Sequence, residues 1–184
     1  AKNYKCLGDV EVSLGRLTLL VGLNGSGKST FAGALRFIRD ALRLGLDAAV
    51  TQGSGISAIR RWSPSKPYDV EIGLSVSSEG HASEYSVELG SVRGGYRVKK
   101  EYCQCKAKGH AALFEVSNGE WKIPHPDLKP KLEPTALALP LAGASRAFAP
   151  IYQELTRMAF YSIFPNSLRE PQKPQGDAAL EEHG

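Results

Sequence analysis

The sequence predicts an α/β fold in which a glycine-rich loop joins a strand to a helix, with an antiparallel β lobe beside that core. Three observations predict it. The run Thr18–Thr30 carries Gly22-x4-Gly27-Lys28-Ser29, directly after apolar residues and directly before a helical pattern. Apolar residues then recur at three- and four-residue spacing from Lys28 to Leu44. Between Asp69 and Ile123, short alternating segments follow one another through glycine- or serine-bearing connections.

Taken in chain order, the alternating segment Gly8–Leu14 and the apolar run Arg16–Val21 read as two strands meeting at Gly15. In the helix Lys28–Leu44, Phe31, Ala34, Leu35, Ile38, Ala41 and Leu42 share one face, and Arg36, Arg39, Asp40 and Arg43 line the other. Gly53–Ser65 reads as a loop with room for one helical turn. Strands are expected at Asp69–Ser77, Ser83–Leu89, Tyr96–Cys103, Ala111–Val116 and Glu120–Ile123, an antiparallel meander over about 69–123. Pro124, Pro126, Pro130, Pro134 and Pro140 keep the next stretch extended, because proline lacks the donor a helix needs. A helix is expected at about 148–161, with Ile151, Leu155, Met158 and Ala159 on one face. Residues 1–164 therefore form one unit, and 165–184 a proline-rich tail.

A chain of 184 residues, 42% hydrophobic and 23% charged, buries a core without disulfides and is neither disordered nor fibrous in composition. No apolar run approaches the roughly 18–20 residues that span a bilayer, and the start lacks a signal-peptide core. Three cysteines read as free thiols in a reducing compartment, so a cytoplasmic setting with no membrane partner is expected. The net charge of +4 is concentrated. Arg93, Arg97, Lys99, Lys100, Lys106 and Lys108 face Glu101 alone within Ser91–His110, a stretch that could track a phosphate backbone or form a solvated face.

The loop carries the chemistry. Gly22, Gly25 and Gly27 permit backbone conformations closed to residues with a Cβ, so that successive N–H groups of Asn24, Gly25, Ser26, Gly27, Lys28, Ser29 and Thr30 turn into one concavity. With the positive end of the helix behind it, that concavity suits a β-phosphate. Lys28 is the candidate catalytic residue, a mobile charge for the β- and γ-oxygens. Ser29 is the candidate Mg²⁺ ligand, and Thr30 is placed for the α-phosphate. ATP and Mg²⁺ are the cofactors expected, and the fold class is a P-loop NTPase core with an antiparallel β lobe.

The words GLNGSGKST, with Asn24 before Gly25-Ser26-Gly27, resemble the ABC-type ATPase heads. Within these they resemble the chromosome-maintenance, recombination and overcoming-lysogenization branch, which includes bacterial ATPases with an AAA-type domain. The opening KNYKCLGDVEVSLGRLTLLVG looks like the usual start of that branch, and ALRFIRDALRLGLDAAV and FYSIFPNSLREPQ look like its continuation. The resemblance implies ATP bound between two copies, hence a homodimer through the nucleotide, with DNA or a nuclease as partner. It further implies a Gln-bearing loop, a signature loop and a strand ending in Asp-Glu. Gln52 and Gln153 are weak matches to the first. Leu141–Ser145 is the nearest signature stretch but precedes no acidic strand, and Ala178–Glu182 lacks strand formers. The chain thus resembles the N-terminal half of a head, which binds ATP and turns it over only when the remaining segments complete it. A nucleotide sensor without turnover is the alternative, and a small-molecule kinase a weaker one.

Other residues leave two readings open. Arg60 and Arg61 suit nucleotide or DNA contact or a basic surface loop, and Trp62 suits base stacking or a core. Cys103 and Cys105 share one side of a strand, but zinc wants a C-x2–4-C pair plus two more ligands and only His110 and the distant Cys6 are available, so they read as half-buried strand thiols. His81, His125 and His183 suggest no catalytic group.

Overall fold

In the computed structural model, residues 1–78, 80–107, 110–124 and 131–161 are described. Two short strands open the chain, β1 (Lys2–Tyr4) and β2 (Leu7–Asp9), followed by helices α1 (Lys28–Leu44), α2 (Leu46–Gln52) and α3 (Ile56–Ile59). Strands β3 (Val70–Ser78), β4 (His81–Val92), β5 (Gly95–Ala107), β6 (His110–Ser117) and β7 (Glu120–Ile123) form the meander. Helices α4 (Leu139–Ala142) and α5 (Ala149–Thr156) come last.

All seven strands pair antiparallel in one sheet, in the order β2-β1-β3-β4-β5-β6-β7. The N-terminal hairpin and the meander are therefore one layer, where the sequence suggested a core and a separate lobe. Side chains of a strand alternate between faces, so the register lays rows of apolar residues across one face. Ile72, Val87, Glu101 and Val116 form one row, and Leu74, Tyr85, Cys103 and Phe114 the next. Against this face lie the helices, with Ile38 of α1, Leu139 of α4 and Ile151 of α5 fully buried. Phe114 meets Phe148 edge-on at 5.2 Å and Trp121 at 5.6 Å.

Val98 and Glu101 both face inward although they are three residues apart in β5. A β-bulge reconciles them: Glu88 pairs with Lys100 and Leu89 with Val98, leaving Lys99 as the extra residue. The bulge turns Lys99 outward, where its ammonium meets Asp69 at 2.5 Å and Glu88 at 2.7 Å.

Helix α1 buries Ala34, Phe37, Ile38, Ala41 and Leu42 and ends at Gly45, whose φ of 93° breaks the helical ladder. Tyr4 anchors the helix to the sheet, donating to the Gly33 carbonyl at 3.1 Å and packing on the Phe37 ring.

Four expectations need correction. The strands Gly8–Leu14 and Arg16–Val21 are absent apart from Leu7–Asp9, because residues 11–21 find no partner strand among the described residues. Leu17, Leu19, Val21 and Leu23 stand 92%, 83%, 83% and 86% exposed. The last helix is Ala149–Thr156 and stops short of 161. Helix α2, and α4 inside the proline-bearing stretch, were not foreseen; proline is tolerated in the first turn of α4 because that N–H has no intrahelical partner. Arg39, expected on the solvent side, is buried: it pairs with Asp40 at 2.8 Å, donates to the Met158 carbonyl and covers the Phe160 ring. The tail over 165–184, with Ala178–Glu182, lies outside the described residues, as do Lys108, His125 and His183.

Candidate nucleotide site

The site begins where the chain, having left β2, turns back through Leu23–Ser26 into α1. The Ser26 amide donates to the Leu23 carbonyl at 3.2 Å and closes the turn. Gly25 and Gly27 lie in the left-handed region, with φ of 81° and 92°, where a Cβ is strained. Gly22 does not share that conformation. A Cβ there would sit 2.9 Å from the Ser26 hydroxyl, so the Ser26 side chain would have to turn aside.

Lys28 folds back over the loop. Its ammonium donates to the Gly22 carbonyl at 2.7 Å, the Leu23 carbonyl at 2.8 Å and the Ser26 hydroxyl at 3.3 Å. These acceptors are neutral, and phosphate oxygens in the same place would add the attraction of opposite charges to the bonds of the ammonium. Gly27 caps α1 with no side-chain hydrogen bond, and the first turn holds no acidic residue. The N-terminal amides of a 17-residue helix thus keep their partial positive charge free for an anion. Ser29 and Asn24 are exposed and Thr30 is half-buried. The Cys6 thiol, weighed in the sequence only as a distant metal ligand, donates to the Thr30 hydroxyl at 3.4 Å and so borders the loop.

The remaining candidates fall elsewhere. Arg60 turns away to hydrogen bond Ser91 and Ser57, while Arg61 lies over Gly8 of β2. Trp62 is 80% exposed, which removes the core reading. The basic stretch is partly neutralised: Lys99 is held by Asp69 and Glu88, and Lys100 pairs with Glu115 at 3.2 Å. Leu141–Ser145 ends α4 with Ala142 fully buried and Gly143 pressed on the Tyr152 ring, a packed corner in place of an open loop. Gln52 and Gln153 are exposed on α2 and α5. Cys103 and Cys105 are free thiols, and no group of three or more metal-ligating side chains occurs among the described residues.

Glu101, read in the sequence only as the lone acid of the basic stretch, is a fully buried carboxyl. Glu101 accepts hydrogen bonds from Tyr85 at 3.1 Å, from the Leu139 amide at 2.9 Å and from the Ala138 amide. Burial pushes it up to about 7, against the pull of those three donors. It ties α4 to the sheet.

Residues 17–177 match the family described as "AAA domain, putative AbiEii toxin, Type IV TA system". The chain belongs to that AAA-domain family. Membership of that family implies a P-loop NTPase fold, and the family uses ATP and Mg²⁺ in general. A curated relative, the OLD nuclease of Thermus scotoductus, is 46% identical over 37 residues, which is 20% of this chain and 7% of the relative. The chain thus matches a small fraction of that relative's length. No solved structure matches. Among the described residues of this AAA domain, no helix is long and apolar enough to cross a membrane.

Proposed function

We propose that this AAA domain binds Mg-ATP at Gly22–Thr30 and serves as the N-terminal part of an ABC-type head whose closure onto a second copy is gated by nucleotide. One observation carries the reading. The Lys28 ammonium is held in the mouth of a loop with two left-handed glycines, at the uncapped start of α1. These residues fit a nucleotide triphosphate. Lys28 would hold the β- and γ-oxygens, the amides from Asn24 to Thr30 would receive the phosphate charge, and the exposed Ser29 hydroxyl would ligate Mg²⁺. The metal supplies charge neutralisation at the leaving phosphate.

The exposed apolar run Leu17–Leu23 supports the second half of the reading. A segment of strand-forming residues without a neighbour among the described residues offers an edge to which another segment or a second copy can add. Hydrolysis then depends on acidic and signature segments that complete the head, and DNA or a nuclease is the partner that the OLD nuclease similarity favours.

Thermal unfolding with and without Mg-ATP tests the site. At a hundredfold excess over Kd, a ligand bound only to the native state stabilises by about 2.7 kcal/mol, or several degrees for a chain of this size. Lys28→Ala is expected to abolish the shift. A wild type without a shift, or a variant that keeps it, overturns the reading.

A further inference from the structure

The polar face of α1 carries arginines that nucleotide binding does not use. Arg39 and Arg43 stand four residues apart on it, one turn above the other. Where the end of α1 meets the end of α5 and the segment after it, a cavity of about 610 Å³ opens. Arg39, Arg43 and Arg157 all line it. Arg39 is the fixed member: its side chain is 9% exposed, pairs with Asp40 at 2.8 Å, donates to the Met158 carbonyl at 3.3 Å and covers the Phe160 ring at 4.8 Å. It thereby holds the Met158–Phe160 wall against α1. Arg43 and Arg157 differ. Both are exposed, and neither meets a carboxylate among the described residues. Arg43 lies in the last turn of α1 and Arg157 caps the end of α5. A helix C-terminus carries roughly half a negative charge, so it offsets only part of each guanidinium.

We propose that this cavity binds a small phosphate monoester, with Arg43 and Arg157 holding the phosphate. A guanidinium presents its N–H groups in a planar fork that fits two oxygens of a phosphate. A phosphate monoester carries about −1.5 to −2 at pH 7, which two guanidiniums without carboxylate partners match. A phosphodiester of a nucleic-acid backbone carries a single charge and matches less well. The cavity lies within the range of roughly 300–1,000 Å³ usual for small-molecule sites. Met158 and Tyr161, the latter 51% exposed, line the cavity with the arginines and offer apolar contact to the body of the ester. The site is separate from the phosphate loop. Lys28 opens α1 and Arg43 lies in its last turn, about 22 Å further along the axis at 1.5 Å per residue.

Calorimetric titration with phenyl phosphate tests the site in the Lys28→Ala background, which silences the phosphate loop. Saturable binding is expected there, and phenol is expected not to bind. Adding Arg43→Gln with Arg157→Gln should weaken phenyl phosphate binding about tenfold or more. A second measurement leaves both arginines in place. Phenyl phosphate should slow phenylglyoxal modification of Arg43 and Arg157 several-fold, mapped by peptide mass spectrometry, and leave the exposed Arg93 unchanged. Absence of saturable binding, equal affinity for phenol, or equal protection of Arg93 overturns the proposal. So does undiminished affinity when both arginines are replaced, which with a loss of stability would show that they only cap their helices. If that variant fails to fold, the protection measurement decides. Because the background lacks Lys28, the outcome is independent of the Mg-ATP shift.

Discussion

Glu101 is the residue on which acid–base behaviour turns. Its carboxyl is raised to about 7 in the folded chain against 4.5 for an ordinary glutamate, so the native state holds the proton more tightly than the unfolded state does. The stabilisation this brings is full below 4.5 and is lost as pH rises through about 7. Wild-type protein is therefore expected to lose stability between pH 5 and pH 8, and Glu101→Gln, which cannot ionise, to lose less. Parallel denaturant titrations at the two pH values decide it, and an unchanged slope in the variant refutes the assignment. Glu101→Ala leaves the Ala138 and Leu139 amides without their acceptor and is expected to cost about 1–3 kcal/mol for each. Cys6 offers a second residue-scale test, because its thiol touches Thr30 at the phosphate loop. Mg-ATP should slow alkylation of Cys6 in the wild type and leave it unchanged in Lys28→Ala; equal rates in the wild type with and without nucleotide would contradict the placement of Thr30.

At the scale of elements, the turn into α1 and the run before it behave oppositely. Gly27 sits at φ 92° with Leu7 Cδ2 3.4 Å from where a Cβ would be, so Gly27→Ala is expected to cost about 1–2 kcal/mol and to blunt the nucleotide shift. Leu19 and Val21, by contrast, touch little. Leu19→Lys with Val21→Lys should leave the unfolding free energy within about 0.5 kcal/mol of wild type while reducing self-association. A large loss of stability in the double variant would mean that the segment is packed. The loop, α1 and the five-strand meander were legible because each rests on local rules: left-handed glycines, a 3.6-residue period, a two-residue period and tight turns. Arg16–Val21 misled the reading for a reason of the same kind. Its residues favour a strand, but a strand exists only against a neighbour, and none is present among the described residues.

Across the whole molecule, the single sheet with helices on one face disposes charge differently from the linear count. Lys99 and Lys100 are committed to Asp69, Glu88 and Glu115, while Arg93, Arg97 and Lys106 are exposed cations of the described β4–β6 hairpins. If duplex DNA binds through this face, log Kobs against log salt should have a slope no steeper than about −3, and Lys99→Ala should leave it unchanged. A steeper slope that flattens in Lys99→Ala would show that the ion pairs open on binding.

The sequence by itself determined the phosphate loop, the helix that follows it and the number of strands in the meander, because backbone sterics and side-chain periodicity act over a few residues. Tertiary structure alone decided that the N-terminal hairpin joins the meander in one sheet, since pairing unites Lys2 with Glu71 across most of the loop and helix region. It also decided that a bulge at Lys99 turns Glu101 into the core, that Arg39 is buried beneath Phe160, and that Arg43 and Arg157 line one cavity. Each of these depends on which distant residues arrive at the same place, and burial and pairing are properties of that meeting rather than of any stretch of chain.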